Sequence, residues 1–589
     1  MRAELKLAPT EGQRLFLLTI VIGAFCGLAA VAFHVAIKLV SALLLDGRSS
    51  SFGAASIAWT IMTPTIGALI AGALLQFVVP KARGSGIPEV KVAFATKGTI
   101  RPLDALGKFV VGVLQIGTGS SLGREGPTVQ ICAGIATFLG RIAGVSPKSL
   151  RRLLPVGAAA GIAAAFNAPI AAVTFTIEEV VGKLDQAVLS GVIIAAALAS
   201  VIERAVLGEH PVFDVPRDYG LHHVSSLVVY AILGLAAGLV SVAFTDGLLV
   251  VRRRIRASRI PPWGQPAIGG LVTGVLAVGT WRWLGTSGVT GGGYETLATA
   301  LTGGLALKVM ALLCVIKIVA TVFSYSSGGA GGIFAPTLFI GGTLGGAIGV
   351  LDHTLLHHDG DPIGPFALVG MGAVFAGTIR APMTSVLIII EMTGGYSLIL
   401  PLMIANMTAY VLARHWRPTP IYEALLAQDG VHLADTVVAE ALEELPLRKL
   451  TRHPQFASFT VGAPAAEVAK VAQETKAQEV FPVLDAQRRI LGIITSDELG
   501  ILAAEPELMA LVNAADLMRP SFAISLDSDL GAALELMIKS GVRQLPVTDA
   551  EGRCVGLVSE ADIAKAYLHR ERPKSVPEVV AEGVAEQPR

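Results

Sequence analysis

The chain has 589 residues, of which 53% are hydrophobic and only 15% charged, with 65 glycines and a mean hydropathy of +0.65. Soluble proteins carry about a quarter charged residues, so an ordinary water-soluble architecture is excluded for most of the length. The formal net charge of +1 gives no case for a nucleic-acid partner, and the charges matter by where they stand.

Arg14 precedes a long apolar run from Leu15 to about Val40, which predicts a first membrane helix rather than a cleaved signal. Further apolar stretches of helix length follow with few charges between them, and the series runs 15–45, 56–79, 128–143, 153–177, 223–251, 266–283, 305–323 and 381–413. Several are too short, or too interrupted by glycine and proline, to span a bilayer singly. Broken helices at membrane depth are tolerated where they line a buried site, as in secondary transporters. The polar, proline-punctuated segment 207–222 is expected to be a loop separating two halves. The run Arg252-Arg253-Arg254-Ile255-Arg256 follows an apolar stretch and is expected on the cytoplasmic side. Arg151-Arg152, and Arg414 with Arg417, argue the same for their own ends. After Leu425 the composition becomes amphipathic and soluble, and from about Pro573 it is Glu/Pro/Val-rich and expected to be disordered.

Within the apolar zone, GREGP at 123–127 places Glu125 between membrane-length stretches. Its glycines let backbone amides approach a ligand, and Pro127 suits the first turn of a helix. Amides at a helix start attract anions. An acid held there competes with an anion for one positive pocket and leaves it when protonated, which is the chemistry of a proton-coupled anion gate. The zone also repeats. Gly123 to Thr128 aligns with Gly332 to Thr337, and Asn167-Ala168-Pro169 aligns with Arg380-Ala381-Pro382. Each of those prolines is followed nine positions on by a glutamate, Glu178 or Glu391. Such a repeat predicts pseudosymmetric halves with the binding site between them.

GSGIP at 84–88, GREGP at 123–127, GGIFAP at 331–336 and the tyrosine of PIYEALL at 420–426 occur in this order, and with them the chain resembles the CLC family of chloride channels and chloride/proton exchangers. The resemblance implies an all-α polytopic membrane domain of inverted-repeat helices, many broken or tilted, followed by an α/β module. It implies a chloride site formed by Ser85, Gly86, Ile87, Gly123, Arg124, Gly126, Ile333, Phe334 and Tyr422, with Glu125 taking the outer position when ionised. Partial charges of this kind hold chloride firmly enough to shed water, and a lysine would trap it. Lys108 and Arg124 stand near the helix starts, where they either raise the local potential or, as the preferred expectation, are structural cations paired with carboxylates. In this family a serine at position 85 goes with chloride rather than nitrate, and the serine–tyrosine pattern departs from fluoride-selecting relatives. Lys91, where some relatives carry an acid, is expected to change only the surface potential at the inner mouth.

Glu178 has a counterpart in Glu391 and is expected to be architectural, bonding backbone amides. Glu179 aligns with Met392 and is an addition to the scaffold. In the family, exchangers carry an acid there as the internal proton relay. The resemblance therefore implies a homodimeric Cl⁻/H⁺ antiporter, working through Glu125 and Glu179 and needing no cofactor. A passive chloride channel and a membrane-anchored nucleotide sensor are the alternatives. No motif supplies the nucleophile or metal an enzyme would need. His353, His357, His358 and Asp359 resemble a metal cluster in composition but sit in a Pro/Gly-bounded stretch that reads as a solvated loop. Cys26, Cys132, Cys314 and Cys554 form neither a metal spacing nor a disulfide framework.

A second repeat occupies the tail, where Pro482–Thr495 matches Pro546–Ser559 without a gap as strand, Asp-Ala-x-x-Arg turn and strand. It resembles a pair of CBS domains. The expected organisation is a transport domain over 1–425 with repeats at about 15–206 and 223–425, then a linker over 426–446. Tandem CBS domains follow over 447–572 (about 447–502 and 513–569), with a tail over 573–589. The resemblance implies ATP, ADP or AMP in the cleft between copies, contacted by Ser559 and Asp562 and, with a departure at the acid, by Thr495 and Glu498. Such modules also serve as dimer contacts without ligand, and that alternative stays open. Short loops and no targeting segment fit a prokaryotic plasma membrane, with the CBS pair in the cytoplasm.

Overall fold

The computed structural model describes residues 11–570 except 47–53, 97, 183–185, 209–222, 224, 287, 357–361, 432–441, 443–444, 451–455, 476–477 and 505. Most of the polar segment between the halves, His357, His358 and Asp359, and the tail from Pro573 lie outside the described residues. The chain forms two compact units, Met1–His432 and Leu433–Arg589.

The first unit is helical. Its first half comprises α1 (Glu11–Ser41), α2 (Ala54–Phe77), α3 (Ile87–Ala95), α4 (Pro102–Gly117), α5 (Glu125–Ile142), α6 (Pro147–Phe166), α7 (Pro169–Phe175) and α8 (Gln186–Leu207). The second comprises α9 (Ser226–Arg256), α10 (Pro266–Leu284), α11 (Tyr294–Leu301), α12 (Leu307–Ser326), α13 (Phe334–Leu356), α14 (Ile363–Ile379), α15 (Pro382–Thr393) and α16 (Ile399–Trp416), and α17 (Ile421–Gln428) follows. The same sequence of long and short helices occurs twice. Among the described residues, seven helices are long and apolar enough to cross a membrane.

Two of the apolar stretches read as single elements are each two helices. The stretch 153–177 breaks after α6, where Asn167 takes a left-handed φ of 54° and Pro169 restarts the chain as α7, which runs on into a π turn over Thr176–Val181. The stretch 381–413 breaks after α15 at Gly394, with φ 69°. Apolar periodicity cannot register such breaks, because the residues on both sides are equally oily. Arg380 holds a left-handed φ of 74°, unusual for an arginine. Its guanidinium anchors that turn by donating to the carbonyls of Tyr410 (3.1 Å) and Arg417 (2.7 Å).

In lipid, apolar burial does little to drive helices together, so close packing has to do it. The α13–α14 crossing shows this at Gly341 and Gly370. A Cβ on either would lie 2.2 or 2.3 Å from the other's carbonyl oxygen, so only glycine permits the approach. In the first half Gly157 of α6 meets the Cys132 carbonyl of α5 in the same manner, at 2.5 Å from its would-be Cβ. At the junction of the halves, Phe334 packs against Phe166, Phe175 and Phe375 with centroids 4.6, 5.8 and 4.3 Å away.

Glu178 and Glu391 tie the halves together reciprocally. Glu178 accepts from the amides of Met383 (3.2 Å) and Thr384 (2.9 Å) and from the Thr384 hydroxyl (2.7 Å), at the start of α15. Glu391 accepts from the amides of Ile170 (3.0 Å) and Ala171 (2.7 Å), at the start of α7. The architectural role expected of this pair is what the structure shows. A half-buried carboxylate suits each place because the helix start exposes N–H groups that no helical carbonyl reaches.

The second unit contains two copies of one small α/β motif. The first has β1 (Phe459–Thr460), α18 (Ala465–Glu474), β2 (Val480–Leu484), β3 (Ile490–Thr495), α19 (Ser496–Ala504) and α20 (Ala514–Leu517). The second has β4 (Ile524–Ser525), α21 (Leu530–Ser540), β5 (Gln544–Thr548), β6 (Cys554–Ser559) and α22 (Glu560–Arg570). Each sheet runs in chain order, its first pair parallel and its second antiparallel. Registers correspond, Val480 opposite Thr495 and Gln544 opposite Ser559. The turns between antiparallel strands are pinned as the sequence predicts. The Asp485 carboxylate accepts from the amides of Gln487 and Arg489, and that of Asp549 from the amides of Glu551 and Arg553.

Candidate functional site

Three glycine-rich helix starts converge in the first unit. Gly86, with φ 98°, turns the chain into α3, a conformation that a side chain would strain. Its neighbour Ser85 lies against the first turn of α5: a Cβ on Gly126 would sit 2.4 Å from both the carbonyl and hydroxyl oxygens of Ser85. The α5 and α13 starts meet through Gly123 and Gly332, which exchange two backbone hydrogen bonds of 2.7 Å each. The aligned glycines of the repeat therefore face each other directly.

Glu125 sits at this junction, fully buried. Tyr294, the first residue of α11, donates its phenol to Glu125 Oε1, and the Ala335 amide donates to Oε2 at 3.4 Å. A side chain on Gly123 would displace the carboxylate, since its Cβ would lie 2.2 Å from Oε2. Ile333 and Phe334 are buried at the opening of α13, where their N–H groups precede the helical ladder.

Ser85 and Tyr422 are fully buried, and neither hydroxyl has a hydrogen-bond partner among the described residues. The two lie close to each other without meeting hydrogen-bond geometry. Buried hydroxyls are normally satisfied, so two neighbouring unsatisfied donors mark a place that fits a small acceptor. An anion without directional lone-pair demands, such as chloride, suits two rotatable O–H groups.

Not every expected residue turns to that place. The Gly86 amide donates to Glu89 Oε2 at 3.0 Å and is thereby occupied. Ile87 is buried as the first residue of α3. Arg124 directs its guanidinium to the Ala165 carbonyl (3.2 Å) and lies over the Tyr294 ring. Lys108 is a structural cation as expected, but its partners are carbonyls rather than a carboxylate: it donates to Ala82 O at 2.9 Å and Gly84 O at 2.5 Å, bracing the loop that carries Ser85. Lys317, which sequence reasoning passed over, does the same in the second half, donating to the carbonyls of Gly288, Val289 and Gly291 at 3.3, 3.0 and 2.7 Å. Both lysines stand fifteen residues before their paired glycine, a spacing that the repeat could have revealed. Tyr294 was also missed, although the run Gly291-Gly292-Gly293 before it marks a helix start like the one at Gly84-Ser85-Gly86.

Glu179 lies in the π turn, away from this junction and beside α3 and α17. Its side chain is 5% exposed. Lys91 donates to its Oε1 at 2.9 Å and also to Glu423 Oε1 at 3.2 Å. The expectation of a surface effect at Lys91 is thus corrected: the ammonium is largely enclosed, because α3 runs inward and its fifth residue meets two acids. The same end holds Arg252 at the close of α9, paired with Asp429 at 2.9 Å.

In the second unit Ser559 donates its hydroxyl to Asp562 (2.6 Å), and Thr495 does likewise to Glu498 (2.6 Å). The longer Glu498 therefore makes the same local bond as the aspartate. Cys554, outside the membrane helices, has its thiol pushed up to about 11 by burial.

The profile of the voltage gated chloride channel family matches residues 67–414, and that of the CBS domain matches residues 514–569. The H(+)/Cl(-) exchange transporter ClcA of Vibrio campbellii (strain ATCC BAA-1116) is 35% identical over 424 residues, 71% of this chain and 90% of that protein. The crystal structure of a slow cyanobacterial Cl⁻/H⁺ antiporter matches with a TM-score of 0.65 at 28% identity, over 73% of this chain and 99% of that one. A eukaryotic CLC transporter, at 19% identity, shares the fold over 93% of this chain and 98% of its own, with a TM-score of 0.63. The chain is accordingly a multi-pass membrane protein and not an enzyme, and it belongs to the voltage gated chloride channel, or CLC, family with a CBS domain in its C-terminal unit.

Proposed function

We propose that this protein exchanges chloride for protons across a bacterial plasma membrane, with Glu125 as the gate and Glu179 as the inner proton relay. What carries the reading is the seat of Glu125, a buried carboxylate held by a phenol and an amide where two helix starts meet. Beside it, the unsatisfied hydroxyls of Ser85 and Tyr422 offer a chloride site, with the opening amides of α13 as further donors. An ionised Glu125 fills the outer anion position. On taking up a proton it loses its attraction for the helix starts and leaves, and chloride moves in. Glu179, buried toward the end that carries the basic α9 terminus, supplies the proton from inside. A channel has no need of that second buried acid.

The transport domain is assigned to 1–425 and the tandem CBS domains to 447–502 and 513–569, in the cytoplasm. The protein acts as a homodimer. Adenine nucleotide, as ATP, ADP or AMP, is the ligand assigned to the CBS pair, supported by the equivalent hydroxyl–carboxylate pairs at the strand ends of both copies.

The test is proton movement into liposomes holding the purified protein, under an imposed chloride gradient with voltage clamped by valinomycin and potassium. Uphill proton flux is expected, with Glu125→Gln passing chloride but no protons and Glu179→Ala losing proton movement while keeping chloride flux. Chloride flux without protons in the unaltered protein would make it a channel.

A further inference from the structure

The Lys91 ammonium is shared by two acids of unequal exposure. Its own side chain is 16% exposed, that of Glu179 is 5% exposed and that of Glu423 is 43% exposed. Glu179 sits on the π turn after α7, Lys91 on α3, and Glu423 on α17 directly after Tyr422. We propose that Lys91 is a positioning residue at the inner end of the proton route, holding Glu179 ionised and turning to Glu423 when Glu179 takes up a proton. This rests on Glu179 being the inner relay.

The argument is one of charge balance in a poorly solvated place. Two carboxylates and one ammonium carry a net charge of −1, and one proton brings them to zero. Without Glu423, the Lys91–Glu179 pair would be neutral, and protonating Glu179 would strand a buried ammonium, which is costly. Without Lys91, two acids would face each other with no cation, and Glu179 would take a proton at lower acidity. An ammonium has three donors and a flexible stem, so it can pass from one acid to the other with little movement.

Apart from the Arg152 cation on α6, the other charged or titratable groups around the site are hydrogen-bonded elsewhere or uncharged at neutral pH. Glu178, on the same turn, is held by the α15 amides. Glu89 of α3 accepts from the Gly86 amide. Tyr422 of α17 is a phenol, and α7 itself carries no titratable side chain. On α6, Arg151 donates to the Phe94 carbonyl at 2.6 Å, and Arg152 shares its first turns.

The two partners should therefore act in opposite directions. In liposomes, proton flux would be followed against internal pH for the full-length protein and for Lys91→Met, Glu423→Gln and Glu179→Ala, with chloride flux reporting the folded fraction of each. Lys91→Met should move the midpoint of the proton-flux profile to higher pH by about one unit, a tenfold change in proton occupancy at fixed pH. Glu423→Gln, a conservative change at a half-exposed position, should move it by a similar amount to lower pH, and Lys91→Arg should restore the original midpoint. Unmoved midpoints, or shifts of the same sign in Lys91→Met and Glu423→Gln, would overturn the shared-ammonium proposal. Undiminished proton flux in Glu179→Ala would instead remove the relay reading beneath it.

Discussion

Replacing Tyr294 by phenylalanine isolates the grip on the gate. The ring and its packing stay, while the phenol that donates to Glu125 Oε1 is lost. The remaining protein donor, the Ala335 amide at 3.4 Å, is long. A hydrogen bond to a charged group contributes about 1.5–3 kcal/mol, so the seated, ionised gate should be weakened by roughly 10- to 100-fold relative to the protonated, displaced one. The sign follows from which form the phenol favours. It donates to the carboxylate and so stabilises the ionised, seated state. Losing it lets protons displace the gate at lower acidity. The pH at which chloride flux through reconstituted Tyr294→Phe is half-activated should therefore rise by about one to two units. Stopped-flow or electrode measurement of chloride efflux over a range of external pH reads this directly. A midpoint within a few tenths of the unaltered protein's, with normal yield in detergent, would refute the claim that Tyr294 holds the gate.

Gly123→Ala tests the same seat sterically. Its Cβ would fall 2.2 Å from Glu125 Oε2, the free end of a side chain, so the carboxylate is what gives way. Faster chloride flux with fewer protons moved per chloride is expected, in the direction of Glu125→Gln, and unchanged coupling would argue that the gate rests elsewhere. Glu178→Ala and Glu391→Ala test the reciprocal helix caps. Each removes a carboxylate that caps helix-start amides at half-buried or exposed positions, at a cost of about 0.5–2 kcal/mol, and Glu178, with three donors against two, should cost more. Thermal melting in detergent ranks the two, and a reversed order would contradict the bonding seen.

The sequence alone determined the membrane character, the two-fold repeat and the motifs at the helix starts, because these depend on composition and on local backbone demands. The GREGP glycines let amides approach a ligand, Pro127 suits a first helical turn, and Glu178 with Glu391 recur at one spacing, whereas the restart at Pro169 inside the stretch 153–177 left no mark in composition. The paired Asp-Ala-x-x-Arg turns of the soluble unit were legible for the same reason, each aspartate closing its own turn. Only the tertiary structure decided which groups meet. Tyr294 reaches Glu125 from a helix 169 residues away in sequence, and Lys91 joins Glu179 and Glu423 across separations of 88 and 332. Pairings of that kind leave no periodic trace in one chain. They follow from glycine contacts that bring helix starts together until a buried acid, an amide and a hydroxyl share one space, and the low polarity there leaves each charged group no partner but its neighbours.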